Sequence, residues 1–143
     1  MGLDSKMLVL DTSGWIVLFG SEHSPTLSTS EQAVLAVVRQ LESAGYQLAY
    51  TSPTLYEIRL SPRPEVRRRR REILAYLRSR GVQVGPGYLS LLDMLSFVPE
   101  AYRHDAAIAL AAGQYPLLTL DSWQALFRLA MGAKTIFVHP DMD

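Results

Sequence analysis

Apolar and polar positions alternate between two patterns along this chain. Short continuous apolar runs, Met7-Leu8-Val9-Leu10 and Leu117-Leu118-Thr119-Leu120, predict strands buried on both faces, as in a parallel sheet. QLAYT at 47–51 and TIFV at 135–138 predict two more, and Val82-Gln83-Val84 a short fifth. Helix-spaced segments lie between them. Trp15, Ile16 and Phe19 follow the first run. Ser28 and Glu31 have capping-box spacing, and Ala33, Val34, Val37, Val38 and Leu41 form one apolar face behind them, which predicts a helix over 31–44 stopped at Gly45. Residues 21–30, polar and containing Pro25, read as a loop.

Ser52-Pro53 starts a further helix carrying Leu55, Tyr56, Glu57, Ile58 and Leu60, which ends at Ser61-Pro62. Pro64 opens the next, PEVRRRRREILAYLRSRG, with Val66, Ile73, Leu74 and Leu77 as its apolar stripe. Arg70 falls on that stripe, so its stem is expected along the core edge with the guanidinium in solvent. Helices are further predicted over 88–97, 101–112 and 122–131, ended by Pro99, Gly113 and Gly132. Strands alternating with helices imply an α/β protein with a mostly parallel sheet of four to five strands, covered on both faces.

A chain of 143 residues is expected to form one domain, 1–143, with a single core. No apolar run approaches the roughly 20 residues that span a bilayer, and MGLDSK lacks the charged start and apolar stretch of a secretory signal. With no cysteine, disulfides and thiolate metal sites are excluded, so a cytoplasmic protein is expected, with no membrane partner. The net charge is zero but unevenly spread. From Arg59 to Arg80 nine arginines face two glutamates, a local +7, and the rest of the chain carries −7. Such a division suits a polyanion on one region and cations on the other.

The acids concentrate the chemistry. Two strands end on an aspartate, Asp11 and Asp121, and parallel strands put all their C-terminal ends on one edge. An N-cap role for Asp11 with Thr12 and Ser13 is an equally open reading of that turn taken alone. Glu57 and Asp105 lie in apolar surroundings, LYEIRL and HDAAIALAA, where a lone carboxylate gains nothing from packing. The physical reason to gather acids is a hard divalent cation, since Mg²⁺ and Mn²⁺ prefer oxygen ligands. One such ion, or a pair roughly 3.5–4 Å apart, can activate water and stabilise the leaving oxygen of a phosphodiester. No P-loop, GxGxxG or HExxH competes, and His23, His104 and His139 are scattered.

Three segments, carrying four acids between them, then show a resemblance. MLVLDTSGWIVLF, TLYEIRL and HDAAIALAAGQYPLLTLD, in this order and spacing, resemble the motifs of PIN-domain ribonucleases, most closely the compact toxin subunits of the VapC type. The resemblance implies a three-layer α/β/α, Rossmann-like fold and a metal-dependent endoribonuclease acting on RNA. It carries the metal ligands onto Asp11, Glu57, Asp105 and Asp121, the small hydroxyl position onto Ser13, and a supporting role onto Thr119. It also implies an antitoxin partner and a homodimer. The chain departs from many relatives in having Ser122 and Trp123, not a further charge, after the last aspartate, which leaves the second metal position open.

Arg59, Arg67, Arg70 and Arg71 are the candidate RNA contacts, although five consecutive arginines cannot share one helix face and a solvated surface explains the run as readily. A purely structural account makes the aspartates caps and pairs Glu57 and Asp105 with arginines such as Arg59 and Arg103. The alternative function is a PIN-like scaffold that acts mainly by binding a protein or RNA partner, with little catalysis.

Overall fold

The computed structural model describes residues 6–21 and 27–140, so the loop expected around Pro25, and His23 with it, lies outside the described residues. Five strands, β1 (Met7–Leu10), β2 (Gln47–Thr51), β3 (Val82–Val84), β4 (Leu117–Thr119) and β5 (Thr135–Phe137), form one sheet in the order β3-β2-β1-β4-β5. Every pairing is parallel. The helices are α1 (Thr12–Ser21), α2 (Thr29–Ser43), α3 (Ser52–Leu60), α4 (Pro64–Ser79), α5 (Tyr88–Met94), α6 (Glu100–Ala112) and α7 (Ser122–Ala130). Among the described residues no helix is long and apolar enough to cross a membrane.

The central strand divides its side chains between two layers, as the two-residue period of a strand requires. Leu8 and Leu10 pack with Trp15 of α1, Val34 and Val38 of α2, Ile58 of α3 and Ile73 and Leu77 of α4. Val9, between them, faces Ile108 and Ala112 of α6. Leu91 and Leu95 extend the second layer against Ala107 and Ala111. The result is helix layer, parallel sheet, helix layer, the arrangement expected from the alternation of runs.

Local signals hold where they are chemically specific. Ser28 caps α2 by accepting from Glu31 N at 3.2 Å while Glu31 Oε1 accepts from Ser28 N at 3.1 Å, the reciprocal box read from the sequence. Two expectations are corrected. The helix expected over 88–97 stops at Met94, because Arg103 donates to the carbonyls of Val98 and Ser96 and holds the following residues in a turn. Arg70 is not a solvent-facing guanidinium. Its Nε donates to Ile58 O at 2.8 Å and its Nη2 to Ser61 O, so the fork covers carbonyls at the open C-terminal end of α3.

Gly85, just past β3, is the tightest approach between sheet and helix. Its φ is +80°, and a Cβ there would stand 2.4 Å from Ala111 O and 2.8 Å from Ala111 Cα. Gly85→Ala therefore combines left-handed strain with overlap against α6, and should cost roughly 2–4 kcal/mol. Urea unfolding checks this: a midpoint equal to wild type would show that β3 can move away from α6 at no cost.

Candidate metal centre at the carboxyl edge of the sheet

The strand order places the site. From β1 the chain builds outward through β2 and β3, then returns to the other side of β1 for β4 and β5. The connections diverge between β1 and β4, and in open α/β sheets the crevice beyond that point is where ligands bind. Asp11 follows β1 and Asp121 follows β4, and the two strands are neighbours with Leu10 opposite Leu118. Thr119 ties the pair together. Its hydroxyl donates to Asp11 Oδ2 at 2.5 Å and accepts from Asp121 N at 3.0 Å. Ser13 does the same from the other side, donating to Asp11 Oδ1 at 2.6 Å and accepting from Leu120 N at 3.2 Å.

Both aspartates also cap helices. Asp11 Oδ1 accepts from Gly14 N at 2.9 Å, and Asp121 Oδ1 accepts from Trp123 N at 2.9 Å. Capping is worth about 1 kcal/mol each, yet it uses only one oxygen of each carboxylate. Asp121 Oδ2 has no hydrogen-bond partner among the described residues, and Asp11 Oδ2 takes only Thr119. The cap and ligand readings are therefore compatible in one side chain.

Glu57 of α3 and Asp105 of α6 reach the same edge from opposite layers. Glu57 Oε1 lies 3.4 Å from His104 Nε2, both side chains about two-thirds covered. The two atoms are in close contact without a regular hydrogen bond. Burial pushes the Glu57 pKa up, but His104, Thr12 and the charge of Arg63 together outweigh it, so the group is held below its usual value. Asp105 goes the other way, to about 6, through burial first, then the charge of Asp121, with Asp11 and Glu57 adding and His104 opposing. Asp11 is also raised, by burial first and in part by Asp121, against hydrogen bonds from Ser13, Thr119 and Gly14. Asp105 thus feels the charge of the other three acids, and Asp11 that of Asp121, across one crevice.

Neither arginine named in a structural account pairs with an acid among the described residues: Arg103 is spent on backbone carbonyls, and Arg59 makes no salt bridge there. Arg63 pairs with Glu65 at 3.2 Å and acts on Glu57 through its charge alone. The donor set is all oxygen and carries excess negative charge, which fits a hard divalent cation. It is not a finished cage: among the described residues, no three carboxylate or imidazole groups stand close enough to hold an ion as they lie.

Of the candidate RNA contacts, Arg59, Arg67 and Arg71 are exposed. Arg67, Arg70, Arg71 and Arg78 line one groove of about 460 Å³ along α4, together with Leu74 and Ala75. The spacing i, i+3, i+4, i+11 gathers these four on one face, and Arg68 and Arg69 lie off it.

Sequence reasoning missed three residues. His104 reads as isolated in the sequence, and no spacing rule links it to Glu57. Gln124 is fully buried and its Nε2 donates to Asp105 O at 2.9 Å, fixing α7 against α6 beside the site. Arg128 is fully buried as well, with Nη1 donating to Ala109 O and Gly113 O and Nη2 to Tyr115 O and Lys134 O. The one available signal was that 124 and 128 fall a turn apart on the inner face of α7.

No protein-family profile matches this chain, and no curated protein matches it. Among solved structures it is similar to the crystal structure of FitAcB from Neisseria gonorrhoeae. That match has 14% identity and a TM-score of 0.50, over 91% of this chain and 96% of the other. At that identity the likeness is one of fold. The fold is a PIN-like three-layer α/β/α arrangement around a five-stranded parallel sheet.

Proposed function

We propose that this protein is a metal-dependent endoribonuclease and the toxin component of a toxin–antitoxin pair. The observation that carries the reading is that Asp11 and Asp121 follow neighbouring strands at the switch-point crevice, with Asp105 within electrostatic reach of both and of Glu57, and that none of the four forms a salt bridge to an arginine or lysine among the described residues. The likeness to FitAcB, a toxin–antitoxin complex with a PIN-domain component, supports the pair in general.

Asp11, Asp105 and Asp121 would hold Mg²⁺ or Mn²⁺, with Glu57 ligating directly or through water. Bound there, the cation supplies Lewis-acid stabilisation of a phosphodiester and a water of lowered pKa. The chain's own residues do the rest. Ser13 and Thr119 fix the rotamer of Asp11, and the His104 ring stands against Glu57. The groove of α4 draws RNA phosphates toward the acidic edge. Exposed apolar side chains on α6 and α7, including Tyr102, Trp123, Leu126 and Leu129, offer a surface for the antitoxin or a second copy of the chain. As the toxin of such a pair it would meet its RNA in the cytoplasm.

Cleavage of total RNA by the purified protein, with Mg²⁺ and then with chelator, tests the reading. Cuts that require metal and vanish in Asp11→Asn are the expected result. The looseness of the carboxylate set favours a second reading, a PIN-like scaffold that works by binding with little catalysis. RNA retained but uncut at any Mg²⁺ or Mn²⁺ concentration would establish that one.

The basic groove has its own test in salt. Replacing Arg67, Arg71 and Arg78 with Ala should weaken RNA binding and flatten the log–log salt slope by roughly 0.7 per lost contact on a single strand. Turnover at saturating RNA should change little. A slope identical to wild type would assign the run to surface charge or to a protein interface.

A further inference from the structure

Next to the acids, α3 and α5 enclose an open hollow of about 290 Å³ lined by Tyr56, Glu57, Leu60, Ser61, Tyr88 and His104. The Tyr56 and Tyr88 ring centroids are 4.6 Å apart at an interplanar angle of 37°, and the His104 ring stands edge-on to Tyr88 at 6.4 Å. These rings are not core. Tyr56 is 48% exposed and Leu60 61%. They are nevertheless held in place. Tyr88 opens α5 directly after Gly87, and the loop before it is pinned by Ser52 Oγ donating to Pro86 O at 2.9 Å. Tyr56 immediately precedes Glu57 on α3, so the aromatic wall and the carboxylate wall of the hollow move as one unit.

We propose that Tyr56 and Tyr88 form a stacking subsite for one unpaired nucleobase of the RNA, seated beside the phosphate presented to the acidic edge. The chemistry of the walls selects this occupant. Glu57 repels a phosphate, so the hollow is unsuited to the backbone, which α4 serves instead. A neutral base offers a flat π-face to an exposed ring, whatever its sequence. A base can reach such a surface only when unpaired, so the subsite makes single strands, loops and bulges the substrate class. This inference rests on the nuclease reading of the neighbouring acids.

The experiment uses short single-stranded RNAs, each with 2-aminopurine at one position, whose fluorescence falls when the base stacks. Measured in chelator, it reports the subsite without catalysis. Wild type should quench the probe at one position, Tyr56→Phe should quench equally, and Tyr56→Ala and Tyr88→Ala should lose the quench and bind about tenfold more weakly. An abasic residue at that position should weaken wild-type binding by a similar factor. With Mg²⁺, kcat/KM should fall in parallel. Quenching that survives in both alanine variants, or RNA affinity equal to wild type in both, overturns the subsite and leaves this face to a protein partner. Quenching without metal-dependent cuts leaves the subsite standing and removes the nuclease reading.

Discussion

Asp105→Asn should melt above wild type in chelator at pH 8, and should lose the activity that Mg²⁺ supports. The stability change follows from the proton affinity of Asp105, raised from 3.8 to about 6 by burial and then by the charge of Asp121. A carboxyl that binds its proton more tightly in the folded than in the unfolded chain favours folding at low pH. That advantage declines as pH rises from 3.8 through about 6. Above pH 6 the ionised group is a net cost to the metal-free fold, through desolvation and repulsion. Asparagine keeps the shape and removes the charge, so the gap between the two melts should close toward pH 4. Mg²⁺ should raise the wild-type melt in proportion to RT ln(1 + [L]/Kd), and the variant's far less. Loss of several kcal/mol of transition-state stabilisation would lower the cleavage rate by roughly a thousandfold. A variant that melts well below wild type in chelator at pH 8, and still gains as much from Mg²⁺, would show that Asp105 is a structural partner and not a ligand.

Arg128→Ala should destabilise the fold by about 4 kcal/mol. Its guanidinium satisfies four backbone carbonyls, those of Ala109, Gly113, Tyr115 and Lys134. These close the C-terminal end of α6, the entry to β4 and the turn into β5. Alanine takes this donor from all four carbonyls, of which Lys134 O keeps Leu117 N at 3.1 Å, and opens a cavity the size of the side chain. Burial lowers the Arg128 pKa, but the group remains charged in the neutral range, since arginine starts far above it. A drop in Tm of roughly 10 °C or more is expected. Arg128→Lys should rescue little, because one ammonium cannot span the four acceptors. A lysine variant with wild-type Tm would mean that charge, not the planar fork, is what this position requires.

The site was legible to different depths. Asp11 and Asp121 could be read because an acid ending a buried strand is a local pattern, and β4 lying beside β1 turned two local patterns into one crevice. Thr119 and Ser13, both close in sequence to those acids, serve them through hydrogen bonds. His104 could not be read in the same way. Its partner Glu57 lies on another helix, and neighbouring positions on a helix point about 100° apart, so proximity to Asp105 in sequence predicts nothing about reach.

By itself the sequence determined the order and type of the elements, the capping box of α2 and the placement of acids after β1 and β4. Each of these rests on interactions within a few residues, where hydrophobic period and turn chemistry act directly. The tertiary structure alone decided the strand order, and with it the point where the connections diverge beside Asp11. It also turned the Arg70 fork onto α3, buried Arg128 among four carbonyls and brought Tyr56 against Tyr88. These outcomes share a cause: a long side chain takes the nearest unsatisfied or apolar surface, and which surface is nearest is set only when distant segments pack.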